Sequence, residues 1–132
     1  MIVCRVEDPG TRLGPYRTDG VRAEQATLAR QLTGAHRDDP ERPTPLRDVA
    51  GWAELSAQRA QAYVAGFDTP DQVEAWFAGH LGALRAAGFV VAAYDMPRRW
   101  TLCGDRQVMF CRARAEHLGD HDLGAHHAAF ED

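Results

Sequence analysis

The sequence predicts an α+β fold in which a small, mainly antiparallel sheet is flanked by three to four helices. Residues 2–6 alternate in polarity and are rich in β-branched side chains, which is typical of a strand. A helix start at Thr69 is the clearest local signal in the chain. Two apolar stretches, residues 89–94 and 106–112, are typical of strands, and we expect them to pair across the loop that joins them.

The first strand and the helix after it begin the domain. Alternate strand residues face opposite sides of a sheet, so Arg5 lies on the face opposite Cys4. A loop rich in Gly and Pro, which contains the sequence GPYR, follows the strand. Apolar residues at helical spacing then predict a helix near residues 20–33, with Asp19 as its cap and Gly34 at its end.

The middle of the chain alternates loops with short elements. The stretch AHRDDPERPTPLRD contains three prolines and has no periodicity, and loops of this length are commonly functional or mobile. A helix with one apolar face is expected near residues 52–62. The run YVAGF fits either a strand or a continuation of that helix.

The helix that begins at Thr69 has three start signals. Thr69 is a capping residue, Pro70 occupies the first helical position, and Gln72 completes a capping box. Gly79 and Gly82 predict a break in the middle of the helix, and Gly88 predicts its final C-cap.

A chain of 132 residues is expected to form one domain. We predict a single α+β domain over residues 1–117. Residues 118–132 form a tail that is flexible or weakly helical, because apolar residues are sparse there. No apolar run is long enough to span a membrane and no secretory signal is evident, so a cytoplasmic protein without a membrane partner is expected. The cysteines are expected to be reduced residues of the core, at Cys4, Cys103 and Cys111.

The charge composition limits the class of partner. The net charge is −4, which argues against a nucleic-acid partner, because nucleic-acid-binding domains usually carry a basic stripe. Every basic residue other than histidine is an arginine, and the guanidinium group suits the recognition of phosphate or carboxylate.

Motifs for catalysis or metal binding are sparse, and no catalytic residue is predicted. The chain has no Gly-rich nucleophile elbow and no phosphate-binding loop. Four histidines near the C-terminus are of the metal-ligand type: His117, His121, His126 and His127. A metal site needs ligands that converge from a fixed scaffold, so we predict a solvated tail and no metal site.

Five polar residues near strand ends have the side-chain types of a nucleotide site. Arg5 can hold a phosphate from a rigid strand, and Tyr16 can stack on a base. Arg17, His36 and Gln107 add further hydrogen-bonding groups. Each also has a structural interpretation, such as an ion pair for Arg5 or a packing lid for Tyr16. Together they predict one pocket between the first strand, the GPYR loop, the proline-rich loop and the last strand.

A resemblance supports this interpretation. The chain resembles small proteins of actinobacterial phages and prophages over about residues 1–115, in the stretches IVCRVEDPGTRLGPYR, AHRDDPERPTPLRD, GFDTPDQVEAWFAG, LRAAGFVVAAYDMP and GDRQVMF. Their layout is similar to the ADP-ribosyltransferase fold, in which a first-strand Arg or His and a nearby Tyr hold NAD. The resemblance implies that Arg5 matches the first-strand residue and Gln107 the start of the last-strand Gln/Glu-x-Glu motif. Met109 stands where that motif has Glu, so the resemblance implies binding by Gln107 rather than catalysis.

Three functional hypotheses follow. The first is a phage protein that binds an NAD-derived or related nucleotide and sequesters a host defence signal, with no resident cofactor. The second is an ADP-ribosyltransferase or NAD glycohydrolase with an atypical acid, for example Glu7 or Glu24. The third is an inhibitor of a host protein that uses Trp52, Trp76 or Trp100 as an aromatic anchor.

Overall fold

Six strands form two antiparallel three-stranded sheets in the computed structural model, which describes residues 1–131. The strands are β1 (Ile2–Glu7), β2 (Tyr63–Gly66), β3 (Val90–Asp95), β4 (Thr101–Cys103), β5 (Val108–Cys111) and β6 (Glu116–His121). The α-helices are α1 (Ala23–His36), α2 (Pro45–Asp48), α3 (Ala57–Ala60), α4 (Pro70–Trp76) and α5 (Leu81–Ala86). The prediction of an α+β fold is confirmed.

The strand pairing differs from the predicted pairing. The first sheet has the order β1-β3-β6, and the second has the order β2-β5-β4. The predicted pairing of residues 89–94 with 106–112 is therefore wrong. Both edges of β3 are occupied by β1 and β6, while β5 pairs with its hairpin partner β4 and with β2.

The first sheet has a core on each face. Its helix-facing side includes Cys4, Val6 and Val91, which pack in one apolar cluster with residues of α1, α4 and α5. Its opposite side packs on the second sheet, through the residues Val3, Ala92, Tyr94, Met96, Val108 and Phe110. The alternation of side chains along β1 therefore determines which residues lie between the two sheets.

A close backbone contact joins the two sheets. Cys4 and Phe67 exchange two backbone hydrogen bonds, of 2.8 and 2.7 Å. Gly66 precedes Phe67, and a Cβ atom at Gly66 would lie 2.7 Å from the Cys4 carbonyl oxygen. A side chain at position 66 would therefore force β1 and β2 apart.

The helix predictions were confirmed to different degrees. The capping box of Thr69 and Gln72 is present, and α4 begins at Pro70 as predicted. The predicted cap of α1 is wrong, because the N-cap is Arg22, without a capping side chain. The helix also continues beyond Gly34 to His36.

Other local predictions had mixed outcomes. The run YVAGF contains strand β2. The helix expected near residues 52–62 is divided into a 3₁₀ turn, Trp52–Glu54, and the single turn α3. Gly79 and Gly88 have positive φ angles of 82° and 90°, at the break before α5 and at its end.

The last part of the chain corrects the expectation of a tail over residues 118–132. The predicted boundary lies inside β6, which pairs with β3. The C-terminal segment (Leu123–Phe130) then forms 3₁₀ turns that bury residues at a spacing of three: Leu123, His126 and Ala129. A spacing of three brings side chains onto one face of a 3₁₀ helix, whereas it only approximates the α-helical period. The final residue of the predicted tail, Asp132, lies outside the described residues.

No helix within residues 1–131 is both long and apolar enough to cross a membrane. The cysteines are free, and Cys4 and Cys111 are buried as predicted. Cys103 is exposed, so its assignment to the core is wrong.

Candidate functional site

Three of the five predicted site residues meet at one small cavity. The cavity has a volume of about 60 Å³ and is lined by Arg5, Tyr16 and Gln107, together with apolar groups that include Phe67 and Phe77. We call it the Arg5 cavity. Strand β1, the GPYR loop and the residue before β5 thus converge, as the sequence predicts.

Arg5 extends from β1 into the space between the two sheets. Its side chain is 16% exposed, and its Nε atom is buried without a hydrogen-bond partner among the described residues. A Cβ atom at Gly14 would lie 2.9 Å from the terminal guanidinium nitrogens, so a side chain at this position would displace the end of Arg5. Burial lowers the pKa of Arg5, against the opposing effect of Glu7.

Glu7 is the centre of a buried charge cluster beside Arg5. Its carboxylate is fully buried and accepts hydrogen bonds from Arg12 at 3.1 Å, from Arg112 at 3.1 Å, and from the Tyr94 hydroxyl. The Arg5 Nε lies 3.6 Å from the same carboxylate. Arg12 also forms two hydrogen bonds to Asp120, of 2.7 and 3.0 Å.

The charges in this cluster do not balance. Three guanidinium groups (Arg5, Arg12 and Arg112) lie beside two carboxylates (Glu7 and Asp120), which leaves one positive charge in excess. Burial, followed by the hydrogen bond to Glu7, raises the pKa of Tyr94 to about 12, so its hydroxyl stays neutral. The guanidinium group of Arg5 that lines the cavity therefore belongs to a cluster with a formal excess of one positive charge.

Tyr16 closes one side of the Arg5 cavity and is held by two neighbours. Its hydroxyl accepts a hydrogen bond of 2.8 Å from the indole nitrogen of Trp76. It also contacts the Nδ1 atom of His36. We assign the hydroxyl as the donor to the Nδ1 atom of His36, since one of its lone pairs already accepts from Trp76. Tyr16 remains 40% exposed, so it separates the cavity from solvent on this side.

His36 is neutral and has an unused donor. Burial, reinforced by the nearby charge of Arg42, lowers the pKa of His36 to about 4. Since Nδ1 accepts from Tyr16, the proton of the neutral ring is on Nε2. That Nε2 atom is buried and has no hydrogen-bond partner among the described residues.

Gln107 anchors the proline-rich loop as well as lining the Arg5 cavity. Its side-chain nitrogen donates to the Pro43 carbonyl oxygen at 2.7 Å. Its backbone N–H donates to the carboxylate of Asp48, which also accepts from the N–H groups of Asp105 and Arg106. One of the two N–H groups of the side-chain amide is thus used by the protein.

Arg17 is not part of the Arg5 cavity. Its side chain is exposed, one residue beyond Tyr16, and its backbone N–H donates to the Gly14 carbonyl oxygen at 3.4 Å. The sequence analysis included Arg17 as a further hydrogen-bonding group, but its side chain does not line the cavity that Tyr16 lines.

A larger groove lies along the proline-rich loop, and we call it the proline-loop groove. It has a volume of about 740 Å³, and its lining includes His36, Pro43 and Leu46, together with four arginines (Arg37, Arg42, Arg47 and Arg106) and four aspartates (Asp38, Asp39, Asp48 and Asp105). Arg42 and Arg106 pair with carboxylates, whereas Arg37 and Arg47 form no salt bridge within residues 1–131. The bonds Tyr16–His36 and Gln107–Pro43 each connect a residue of the Arg5 cavity to a residue of the groove.

The residues proposed for the alternative functions have other partners. Glu7 has both carboxylate oxygens engaged, and Glu24 is an exposed first-turn residue that pairs with Arg22. The three tryptophans are partly buried: Trp52 packs on Tyr63, Trp76 bonds to Tyr16, and Arg114 stacks on Trp100.

Sequence reasoning missed Trp76, Arg12 and Arg112 as residues of this region. Trp76 was predicted only as an anchor for a protein partner, and the two arginines lie in segments without a motif. All three residues contact residues that are distant in the sequence, and the spacing of residues along the chain does not reveal such contacts.

The fold and the site define a small α+β protein with a cluster of arginines around Glu7 and a small cavity beside it. The chain matches a family model described as "Bacteriophage T4 Y00F protein" over residues 1–124, so it belongs to this family of phage proteins. No curated protein matches the chain, and no solved structure does. The phage part of the resemblance is therefore confirmed, while none of these comparisons supports an actinobacterial source or an ADP-ribosyltransferase layout.

Proposed function

We propose that this phage protein binds a small anionic nucleotide, NAD or an NAD-derived molecule, at the Arg5 cavity and the adjoining proline-loop groove. The observation that carries the proposal is the buried Arg5, whose Nε lacks a hydrogen-bond partner among the described residues. The guanidinium excess around Glu7 favours the same ligand charge. A phosphate oxygen at Arg5 would satisfy the unused donor and balance the cluster.

Cavity size determines how such a ligand would bind. Sites for small molecules usually measure roughly 300–1,000 Å³. The Arg5 cavity, at about 60 Å³, is too small for a nucleotide, whereas the groove, at about 740 Å³, is large enough. We therefore expect the ligand body to occupy the groove and one anionic group to reach Arg5 when the Tyr16–His36 and Gln107–Pro43 contacts open.

The remaining groups fit the parts of a nucleotide. The exposed ring of Tyr16 offers a stacking surface, and Arg37 and Arg47 can contact a second phosphate from the groove. The His36 Nε2 offers a donor to a ribose hydroxyl. In this proposal the protein acts in the cytoplasm, holds no resident cofactor and sequesters a host defence signal of nucleotide type.

The test is calorimetry of untagged protein with NAD and with ADP-ribose, after native mass spectrometry has identified any ligand that co-purifies. Arg5→Ala is expected to weaken binding about tenfold or more, because a hydrogen bond to a charged group contributes about 1.5–3 kcal/mol. Arg17→Ala is the matched control and is expected to bind like the parent, because Arg17 lies outside the cavity.

Each other outcome points to a different function. If Arg5→Ala remains folded and binds as tightly as the parent, the nucleotide proposal fails, and inhibition of a host protein becomes the better hypothesis. If NAD is consumed in the same mixture, as judged by mass analysis, the protein is an enzyme. Its acid would then be sought by testing Glu7→Gln and Glu24→Gln.

A further inference from the structure

Three potential metal ligands converge away from the Arg5 cavity. Glu74 extends from α4, while His126 and His127 belong to the C-terminal segment. The Glu74 Oε1 atom lies 2.7 Å from the His127 Nε2 and 3.3 Å from the His126 Nε2. One ligand atom from each residue lies within 4.8 Å of the other two. The sequence does not predict this cluster, because Glu74 lies in a separate helix.

The tautomer of His126 is set by its neighbour. Its Nδ1 lies 2.6 Å from the Leu123 carbonyl oxygen, which can only accept, so Nδ1 carries a proton. In the neutral ring, Nε2 therefore has a free lone pair. A metal-binding histidine is commonly oriented in this way, with its second nitrogen donating to a backbone carbonyl.

The free nitrogen of His126 is buried and lacks a hydrogen-bond partner. The side chain is 6% exposed, and no residue that the structure describes makes a hydrogen bond to Nε2. A carboxylate oxygen of Glu74 lies 3.3 Å from this nitrogen. Two lone pairs facing each other at this distance repel, so either a proton on Nε2 or a metal ion bound by both atoms is needed between them.

We propose that Glu74, His126 and His127 form a zinc site, with a fourth position open to water or to another ligand. Two imidazoles and one carboxylate are a known donor set for three-ligand zinc sites. The same three groups make magnesium a poor fit, since magnesium prefers oxygen ligands.

Zinc at this position would connect two parts of the helix-facing layer. Glu74 belongs to α4, and the C-terminal segment contacts α4, α5, β1 and β3. Bound zinc would therefore hold the segment against the apolar face of the first sheet and raise the temperature of unfolding.

The experiment is a zinc titration of the untagged, full-length protein by calorimetry, after chelator treatment and dialysis. The parent is expected to bind one zinc ion per chain. Glu74→Gln and His127→Ala are expected to weaken binding at least about tenfold. Both side chains are partly exposed, so neither change should prevent folding. His121→Ala is the matched control, because His121 lies in β6 outside the cluster, and it should bind zinc like the parent.

Two results would overturn the proposal. One is the absence of stoichiometric zinc binding by the folded parent. The other is zinc binding that is weakened equally by His121→Ala and by Glu74→Gln, which would indicate scattered surface histidines. A rise in melting temperature with zinc in the parent, but not in Glu74→Gln, would support the site, and an equal rise in both would contradict it.

Discussion

The two faces of the first sheet are stabilised in different ways. On the helix-facing side, β1 contributes Cys4 and Val6 to a cluster of apolar groups. On the side facing the second sheet, the same strand contributes Val3 to a second apolar cluster. It also contributes Arg5 and the fully buried Glu7, and Glu7 is paired with the partly exposed Arg12 and Arg112. An apolar face needs only well-packed volume, whereas a buried charge also needs specific partners. The charged groups on the face toward the second sheet are therefore not needed for packing, since a core of that size does not require ions.

The largest expected effect on stability comes from disrupting the charge cluster around Glu7. Glu7→Ala should lower the free energy of unfolding by about 3–5 kcal/mol, because it leaves the largely buried Arg5 without its carboxylate partner and removes a counter-charge from Arg112. Urea denaturation measures the change. The double variant Glu7→Ala/Arg112→Ala should lose less than the sum of the two single variants, since the second change removes an uncompensated charge. Simple additivity would show that the cluster is not coupled.

A substitution on the helix-facing side should lower stability only through the loss of packed apolar volume. Leu84→Ala is expected to lower the free energy of unfolding by about 2–5 kcal/mol, because Leu84 is fully buried among apolar groups. Leu46→Ala is the control, since Leu46 is 67% exposed and the change should cost less than about 0.5 kcal/mol. An equal effect at both positions in urea denaturation would mean that the helix-facing core is not organised as described.

Removing the C-terminal segment, which packs on the helix-facing side of the first sheet, should have a moderate effect on stability. Deletion of residues 122–132 is expected to lower the free energy of unfolding by about 2 kcal/mol, because the buried area of Leu123 and Ala129 is lost while the chain regains conformational entropy. Deletion of residues 131–132 alone is the control. A thermal melt of the longer deletion that matches the parent would support a detached tail instead.

The smallest expected effect is a pH dependence at the edge of the charged face. The pKa of His36 is lowered from 6.5 to about 4 by burial, so the unfolded chain binds a proton at higher pH than the folded chain. His36 therefore destabilises the fold as pH falls below 6.5. The loss should be about 1 kcal/mol between pH 6.5 and pH 5.5.

His36→Gln isolates this contribution. The variant should lack that part of the pH dependence when denaturation midpoints are measured at both pH values. His121→Gln should retain it, because His121 lies outside the contact with Tyr16. An identical slope in the parent and in His36→Gln would contradict the assignment of a buried, neutral His36.

Much of the candidate site could be predicted because it depends on local structure. Arg5 lies on a strand with clear alternation, Tyr16 follows a Gly-Pro pair, and Gln107 comes directly before a strand. These features brought all three side chains to the Arg5 cavity. Arg17 could not be excluded from sequence, because the direction of a loop side chain depends on contacts outside the loop.

The cluster around Glu7 and the proposed zinc ligands could not be predicted, because their partners are distant in sequence. Arg112 reaches Glu7 across the space between two sheets, and Glu74 reaches His127 from another helix. Neither pair has a characteristic spacing, so only the packing of the layers brings the atoms together.

The sequence by itself determined the local elements of this protein: the strand at residues 2–6, the capped start of α4 and the glycine at the end of α5. Those features follow from side-chain alternation, from capping hydrogen bonds and from backbone conformation, each of which involves residues a few positions apart. The tertiary structure alone decided which strands pair, that residues 123–130 cover the core, and which charges are buried together. Such choices depend on the free energy of contacts between distant segments, and that energy exists only when the whole chain has folded.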